Sequence, residues 1–305
     1  MIATDIGTAK IAVIILTLNQ RDKTVTCLQS FRSVKSPAFQ IFLWDNGSTD
    51  GTTEYVQEHF PEVLVHLHPT NLGVASGRNA AAQLAIDKLN PTHLLSIDND
   101  TVVTPDFLDN LLAPFEYDTN LALTSPKIRL LQDDQRLDSA GGAKVQFWLS
   151  GTRKIGYGEI DQGQYDTPSR VIATGCCMLI LTSVFQEIGG FDSSFDPYGP
   201  EDLDFSLRIL KEGLEILYVP DSLIFHDPTQ TFGGGRYTER YARNKSRHWI
   251  RFWGRHASPV EKFGFIFFGV YFVAVRALIR EGRRNNLGAV MALFRGMLDW
   301  RKPTN

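Results

Sequence analysis

Carboxylates gather where apolar runs of this sequence stop. Asp98-Asn99-Asp100 follows the run at 93–97 (HLLSI). Two carboxylates one residue apart on such a turn can share a hard cation. Mg2+ and Mn2+ prefer oxygen donors and need few protein carboxylates when substrate phosphates supply the rest. An Asx-rich turn that bonds its own backbone produces the same triplet. Asp45-Asn46-Gly47-Ser48-Thr49-Asp50-Gly51 ends another run. It suits a nucleobase or ribose contact, or a turn followed by a helix cap. Glu201-Asp202 opens a helical pattern. Acidic residues there complement the helix dipole; beside a metal–diphosphate site, one of them could serve as a general base toward an acceptor hydroxyl. His226 stands before Asp227-Pro228. Its ring is either structural or completes a metal shell with Asp100.

The elements that must position these groups follow from the pattern. Residues 11–18 (IAVIILTL) form a continuous apolar, β-branched run, the mark of a strand buried on both faces. Helix is expected over 23–34, strand over 40–44, helix over 49–59, a short strand over 63–66, an Ala-rich helix over 74–88 and strand over 93–97. This alternation predicts an α/β fold with right-handed crossovers and a mostly parallel central sheet. Ligands bind beyond the carboxyl ends of such strands, where the polar turns after Leu18, Trp44 and Ile97 lie. Residues 132–169 read as a long loop or small hairpins, 171–182 as strand, 200–213 as helix, and 214–219 and 223–226 as two strands.

Composition narrows the class. With 43% hydrophobic and 21% charged residues, the 305-residue chain is of ordinary globular type. Its net charge of −3 hides an asymmetry: residues 232–305 carry 15 Lys+Arg against 4 Asp+Glu, and residues 1–231 carry 16 against 30. An acidic body with a basic, aromatic, helical tail divides the chain at about 231, and the tail either meets something anionic or simply solvates its helices. Cys27, Cys176 and Cys177 form no disulfide framework or zinc spacing and suggest a reducing compartment. With Asp5 early and no basic stretch before an apolar one, no signal peptide is expected. The uncharged run at 263–275 is short of the roughly 20 residues a spanning helix needs.

Taken together, Thr17-Leu18-Asn19, WDNGSTDGT at 44–52, NLGVASGRNAA at 71–81, SIDNDTVVTPDFL at 96–108, TGCCMLI at 174–180, GGFD at 189–192 and PEDLDFSLR at 200–208 resemble glycosyltransferase family 2 on the GT-A fold. The resemblance covers about residues 10–250 and is nearest to the rhamnosyltransferase-type subgroup that builds bacterial surface polysaccharides. It implies a single nucleotide-binding sandwich over 1–231, with a donor half at about 10–125 and an acceptor half at about 126–231. It implies an inverting, Mg2+- or Mn2+-dependent transfer from a nucleoside diphosphate sugar, dTDP or UDP favoured, to a glycan or lipid-linked hydroxyl. Asp45 would contact the nucleobase, with Thr17 and Asn19 lining that pocket. Asn71 and Arg78 would lie near the nucleotide, Asp98 would face the ribose and Asp100 would bind the metal. Asp202 of the Glu201-Asp202 pair would be the catalytic base, and His226 a further metal or diphosphate contact. Tyr241, Arg243 and Asn244 resemble a Tyr-x-Arg-Asn element of the subgroup.

The QxxRW signature of processive members is missing, so transfer of one or a few sugars is expected. A nucleotidyltransferase is the first rival, but residues 17–24 (TLNQRDKT) lack the glycines of a phosphate loop. A non-catalytic nucleotide-sugar or polysaccharide-binding protein is the second. No nucleic-acid partner is expected. The segment 259–302, with Arg280, Arg283 and Arg284 beside its apolar stretch, is expected to lie in a membrane interface on the cytoplasmic side, or to pack as a helical pair or oligomer contact. Donor and acceptor choice is assigned to loops at 130–170 and 228–240.

Overall fold

The computed structural model describes residues 10–35, 37–149, 151–228, 238–282 and 286–299. Asp5, Arg283, Arg284 and most of the expected loop 228–240 lie outside the described residues, as does the Arg280 side chain. The chain begins with β1 (Ile11–Thr17), α1 (Arg21–Phe31), β2 (Phe39–Asp45), α2 (Thr52–His59), β3 (Leu64–Leu67), α3 (Val74–Leu89) and β4 (His93–Asp98). It continues with β5 (Thr101–Val103), α4 (Phe107–Leu112), β6 (Leu121–Leu130), β7 (Asp133–Ala140), β8 (Ala143–Gln146), β9 (Gly151–Lys154) and β10 (Ser169–Arg170). Then come β11 (Cys177–Leu181), α5 (Thr182–Ile188), α6 (Glu201–Lys211) and β12 (Glu215–His226). The tail holds α7 (Glu239–His256), α8 (Pro259–Gly264), α9 (Val270–Gly282) and α10 (Leu287–Leu298).

The central sheet has the order β10-β12-β6-β11-β4-β1-β2-β3, with β5 added on β12 and β7 on β6. β3, β2, β1 and β4 are parallel, as the strand–helix alternation requires. Beyond β4 the sheet is mixed: β11 runs antiparallel to both β4 and β6, while β6 and β12 are parallel. The mostly parallel expectation therefore holds for the donor half and gives way beyond it. An apolar strand buried on both faces reads the same in either direction, so β11 gives no sign of its polarity.

Alternate residues of β1 feed two cores. Ile11, Val13 and Ile15 pack with Phe31, Leu95 and Phe107 on one face. Ala12 and Ile14 pack with Phe42, Ala81 and Phe205 on the other. Helices cover both sides, which is why the run carries no polar alternation.

Some boundaries moved. Of 171–182, only Cys177–Leu181 is strand. The segments expected as two strands join into one β12, whose register shifts between Val219 and Leu223. Pro220 lies in that irregular stretch, where a missing N–H is tolerated. The 132–169 region holds β7 and a separate β8–β9 hairpin up to Lys154, then a loop of turns from 155 to 168.

The tail is bolted to the body. Asp204 of α6 is fully buried and accepts from Arg208 Nε at 2.8 Å, Arg255 Nη1 at 2.7 Å and His256 Nε2 at 2.8 Å. Arg255 also pairs with Asp192 at 2.6 Å. α7 in turn packs closely on α10, where a Cβ at Gly296 would stand 2.2 Å from the Arg243 carbonyl oxygen. Among the described residues no helix is long and apolar enough to cross a membrane.

Candidate active site

A cleft of about 1150 Å³ opens beyond the carboxyl ends of β1 and β4. α3 and α6 approach it from one side, the β9 end from another, and α7 closes it with Tyr241, Lys245 and Trp249.

The donor side is built on interlocked turns. Asn19, at φ 52°, donates its backbone N–H to Ser48 Oγ at 2.8 Å, and its Oδ1 accepts from the Thr49 N–H at 2.7 Å. The left-handed conformation suits Asn better than most residues. Asn99 Nδ2 donates to Thr24 Oγ1 at 2.9 Å and to Thr17 Oγ1 at 3.2 Å, fixing the DxD turn onto β1 and α1. Asn46 Nδ2 donates to Asn71 Oδ1 at 3.1 Å, and the same oxygen accepts from the Gly73 N–H at 2.8 Å. Thr17, Asn19 and Asn71 all line the cleft. Asp45 does not. It is fully buried, with one oxygen on the Ser48 N–H at 2.7 Å and the other on Thr53 Oγ1 at 2.6 Å. Its place here is inside the loop that the donor side rests on.

Asp98, Asp100 and His226 bring one ligand atom each within 4.8 Å of one another. Asp100 Oδ1 is buried without a hydrogen-bond partner, and His226 Nε2 stands 3.3 Å from it. An orphaned carboxylate oxygen beside a second carboxylate and an imidazole fits Mg2+ or Mn2+. Behind the ring, His226 Nδ1 lies 3.1 Å from Asp138 Oδ2, which also accepts from Lys154 Nζ at 2.6 Å. A carboxylate on the far nitrogen fixes the orientation of a metal-binding imidazole. Burial opposes the His226 charge, but Asp100 and Asp138 outweigh it and raise its pKa to about 9. Burial likewise opposes the Asp138 charge, yet His226 and Lys154 hold that carboxyl below its ordinary range. Lys23 Nζ completes the cage, 3.8 Å from Asp100 and 3.2 Å from Asp227.

Arg78 joins the Asp98 end of the cleft to the Glu201-Asp202 end. Nη2 reaches Asp98 Oδ1 at 2.5 Å and Nη1 reaches Glu201 Oε1 at 3.1 Å. Burial works against this guanidinium, and Asp98, Glu201 and Asp202 more than restore its charge. Glu201 is buried and its other oxygen accepts from the Gly199 N–H at 3.1 Å. Asp202 is more open to the cleft. Its Oδ2 accepts from the Gly175 N–H at 2.6 Å and its Oδ1 from the Leu203 N–H at 2.8 Å. Burial raises the pKa of both carboxyls, with Asp202 adding to the cost of ionising Glu201 and Asp98 adding to that of Asp202. A Cβ at Gly175 would stand 3.5 Å from Asp202 Oδ2 and 4.0 Å from Asp98 Oδ2.

Sequence reasoning missed Lys23, Asp138 and Lys154. Lys23 sits in a helix first turn, where a lone cation carries no signal. Asp138 and Lys154 lie in the polar stretch read as a long loop or small hairpins, which singles out no residue. Burial pushes the Cys27 thiol up to about 12 and raises Cys176 and Cys177 as well, which disfavours the thiolate at all three.

A family model described as glycosyl transferase family 2 matches residues 12–189, and one described as the N-terminal domain of galactosyltransferase matches residues 156–229. The O-antigen biosynthesis protein RfbC of Myxococcus xanthus is 26% identical over 72% of this chain and 17% of its own length. The N-acetylglucosaminyl-diphospho-decaprenol L-rhamnosyltransferase of Mycobacterium tuberculosis is 26% identical over 68% of this chain and 73% of its own. Among solved structures, GalNAc-T7 with UDP, GalNAc and Mn2+ superposes with a TM-score of 0.68 at 18% identity, covering 84% of this chain and 50% of that one. The mannosyltransferase PcManGT from Pyrobaculum calidifontis, in complex with GDP-Man and Mn2+, gives 0.57 at 15% identity over 96% and 87%. These two likenesses speak for the fold. With the family model spanning more than half of its residues, the chain belongs to glycosyl transferase family 2, carries the GT-A fold and counts a rhamnosyltransferase among its relatives.

Proposed function

We propose that the protein transfers a sugar from a nucleoside diphosphate sugar to a hydroxyl acceptor with inversion, using a divalent metal. One observation carries this reading: the candidate base Asp202 and the candidate metal ligand Asp98 flank the same glycine, Gly175, in one cleft. Base, leaving-group site and acceptor entry would then share a single space.

Asp98, Asp100 and His226 would hold Mg2+ or Mn2+, which supplies Lewis-acid neutralisation of the leaving diphosphate. Asn19 and Thr17 line the donor end, with Asn71 and Arg78 on the flank, and Asp45 positions the loop under them. Asp202 takes the proton of the acceptor hydroxyl as its oxygen bonds to the anomeric carbon and the diphosphate leaves from the opposite face. A raised carboxyl pKa makes Asp202 a stronger base while two backbone N–H groups fix its direction. Glu201, committed to Arg78 and Gly199, positions rather than reacts.

The division near residue 231 is kept as a catalytic unit followed by an accessory tail that closes the cleft with α7. Relatives named for O-antigen and decaprenol-linked substrates support a lipid-linked or glycan acceptor in surface polysaccharide synthesis, with dTDP- or UDP-sugar as donor. Three buried free cysteines support a cytoplasmic setting.

The test is thermal stability against UDP, dTDP, GDP, CDP and ADP, each with and without Mn2+. A metal-dependent rise with one nucleotide supports the donor site and names its class. No rise with any of them removes the enzyme reading and leaves a binding protein.

A further inference from the structure

The tail carries an apolar surface that the catalytic reading does not use. Phe263, Ile266, Phe267, Phe268, Tyr271 and Phe272 are each 55–69% exposed. At about 200 Å² per large side chain, this is an exposed apolar area on the order of 700 Å², above what a typical monomer leaves in one patch. The outward direction is fixed from behind. A Cβ at Gly264 would collide with the Trp148 ring, and one at Gly269 would stand 2.3 Å from the Trp148 carbonyl oxygen. These two glycines seat the segment on Trp148 and leave the bulky residues facing away. Between them the backbone is π-helical over Phe265–Gly269, and its smaller rotation per residue keeps Ile266, Phe267 and Phe268 closer to one face.

Charge frames the patch. Lys262 stands at one end and the exposed Arg276 at the other, and from 262 to 280 the sequence holds no acidic residue. Glu261 is committed to the Ser258 capping box. An apolar groove of about 350 Å³ lies beside the patch, walled by Trp253, Phe265, Val270, Phe294 and Leu298. The helix that supplies Trp253 to this groove, α7, also supplies Lys245 and Trp249 to the catalytic cleft. The groove beside the patch and the cleft therefore lie against the same helix.

We propose that the face formed by α8, the π-turn and α9 docks on an anionic lipid bilayer, with the aromatic side chains at acyl depth and the cations at the headgroups. Aromatic residues with flanking Lys and Arg are the composition of an interfacial segment. In this seat the α7 side of the cleft sits next to the bilayer surface, where a lipid-linked hydroxyl would enter. The docking itself does not depend on transfer being the right reading.

The experiment is co-sedimentation of the full chain with phosphatidylcholine vesicles, with and without one third phosphatidylglycerol, at low and high salt. Wild type is expected to bind the anionic vesicles and to lose affinity in high salt. A variant with Phe267→Glu and Phe268→Glu is expected to partition at least tenfold less, and Tyr271→Ser to fall between. All three positions are solvent-exposed, so thermal midpoints should stay at the wild-type value and any nucleotide response should persist. Equal partitioning of wild type and the double variant overturns the proposal. So does a concentration-dependent dimer, seen by sedimentation equilibrium, that the same substitutions dissolve; that result gives the face to a second copy of the chain. A lost nucleotide response with intact vesicle binding counts against the enzyme reading alone.

Discussion

Arg78 and Asp98 meet at 2.5 Å, and the rest of the same guanidinium is held by Glu201. One cation on α3 thus serves carboxylates from the end of β4 and the start of α6. Arg78→Ala leaves those buried charges facing each other. The expected loss is about 3 kcal/mol of stability, read from urea unfolding, together with most of the transfer activity. A variant that unfolds at the wild-type midpoint would show that the three carboxyls share protons instead of needing the cation.

Asp202→Asn keeps an oxygen for the Gly175 N–H and removes the proton acceptor. Transfer should drop by about 10²- to 10⁴-fold, with the nucleotide-induced thermal shift unchanged. Normal turnover would take the base role away from Asp202.

Asp100→Asn and His226→Ala should each abolish the Mn2+-dependent part of nucleotide stabilisation, which for the wild type is about 2.7 kcal/mol at a hundredfold excess over Kd. Asp138→Asn, one bond further out, should weaken Mn2+ binding by about 10- to 100-fold without abolishing it, measured by calorimetry. Unaltered metal affinity in all three would place the ion elsewhere.

His93 gives a pH signature away from the site. It is fully buried, its Nε2 has no hydrogen-bond partner, and burial lowers its pKa to about 4. The unfolded chain takes up the proton near the ordinary value of about 6.5, while the folded chain refuses it. The stability this ring retains above that pH is therefore lost as pH falls through 6.5 toward 4, by about 3 kcal/mol in all. His93→Gln should flatten the fall in urea midpoint between pH 7 and 4.5. An unchanged slope would assign the acid loss to other groups.

Much of the donor half was legible because β1, β2 and β4 are apolar on both faces and end abruptly in polar turns. Asp98, Asp100, Asp202 and His226 were found as polar residues at those ends or at a helix start, and the structure gathers them in one cleft. Asp45 looked the same in sequence and is sealed inside its loop, since residue type does not report which way a turn folds its carboxylate. The acceptor half was harder. β11 gave no hint of its direction, and β12 read as two strands because Pro220 interrupts it. Asp138 and Lys154 sit in short polar strands whose partners are set by tertiary pairing, beyond the reach of local periodicity.

The buried Asp204 has a consequence for how this chain can be divided. It lies one half-turn past Asp202 on α6, yet two of its three side-chain partners come from the far end of α7. A chain stopped at residue 231 would leave that fully buried carboxylate with Arg208 as its one remaining partner of the three, next to the candidate base. The tail is thus no interchangeable accessory: grafting a different one onto this body would first require replacements for the two donors it gives Asp204.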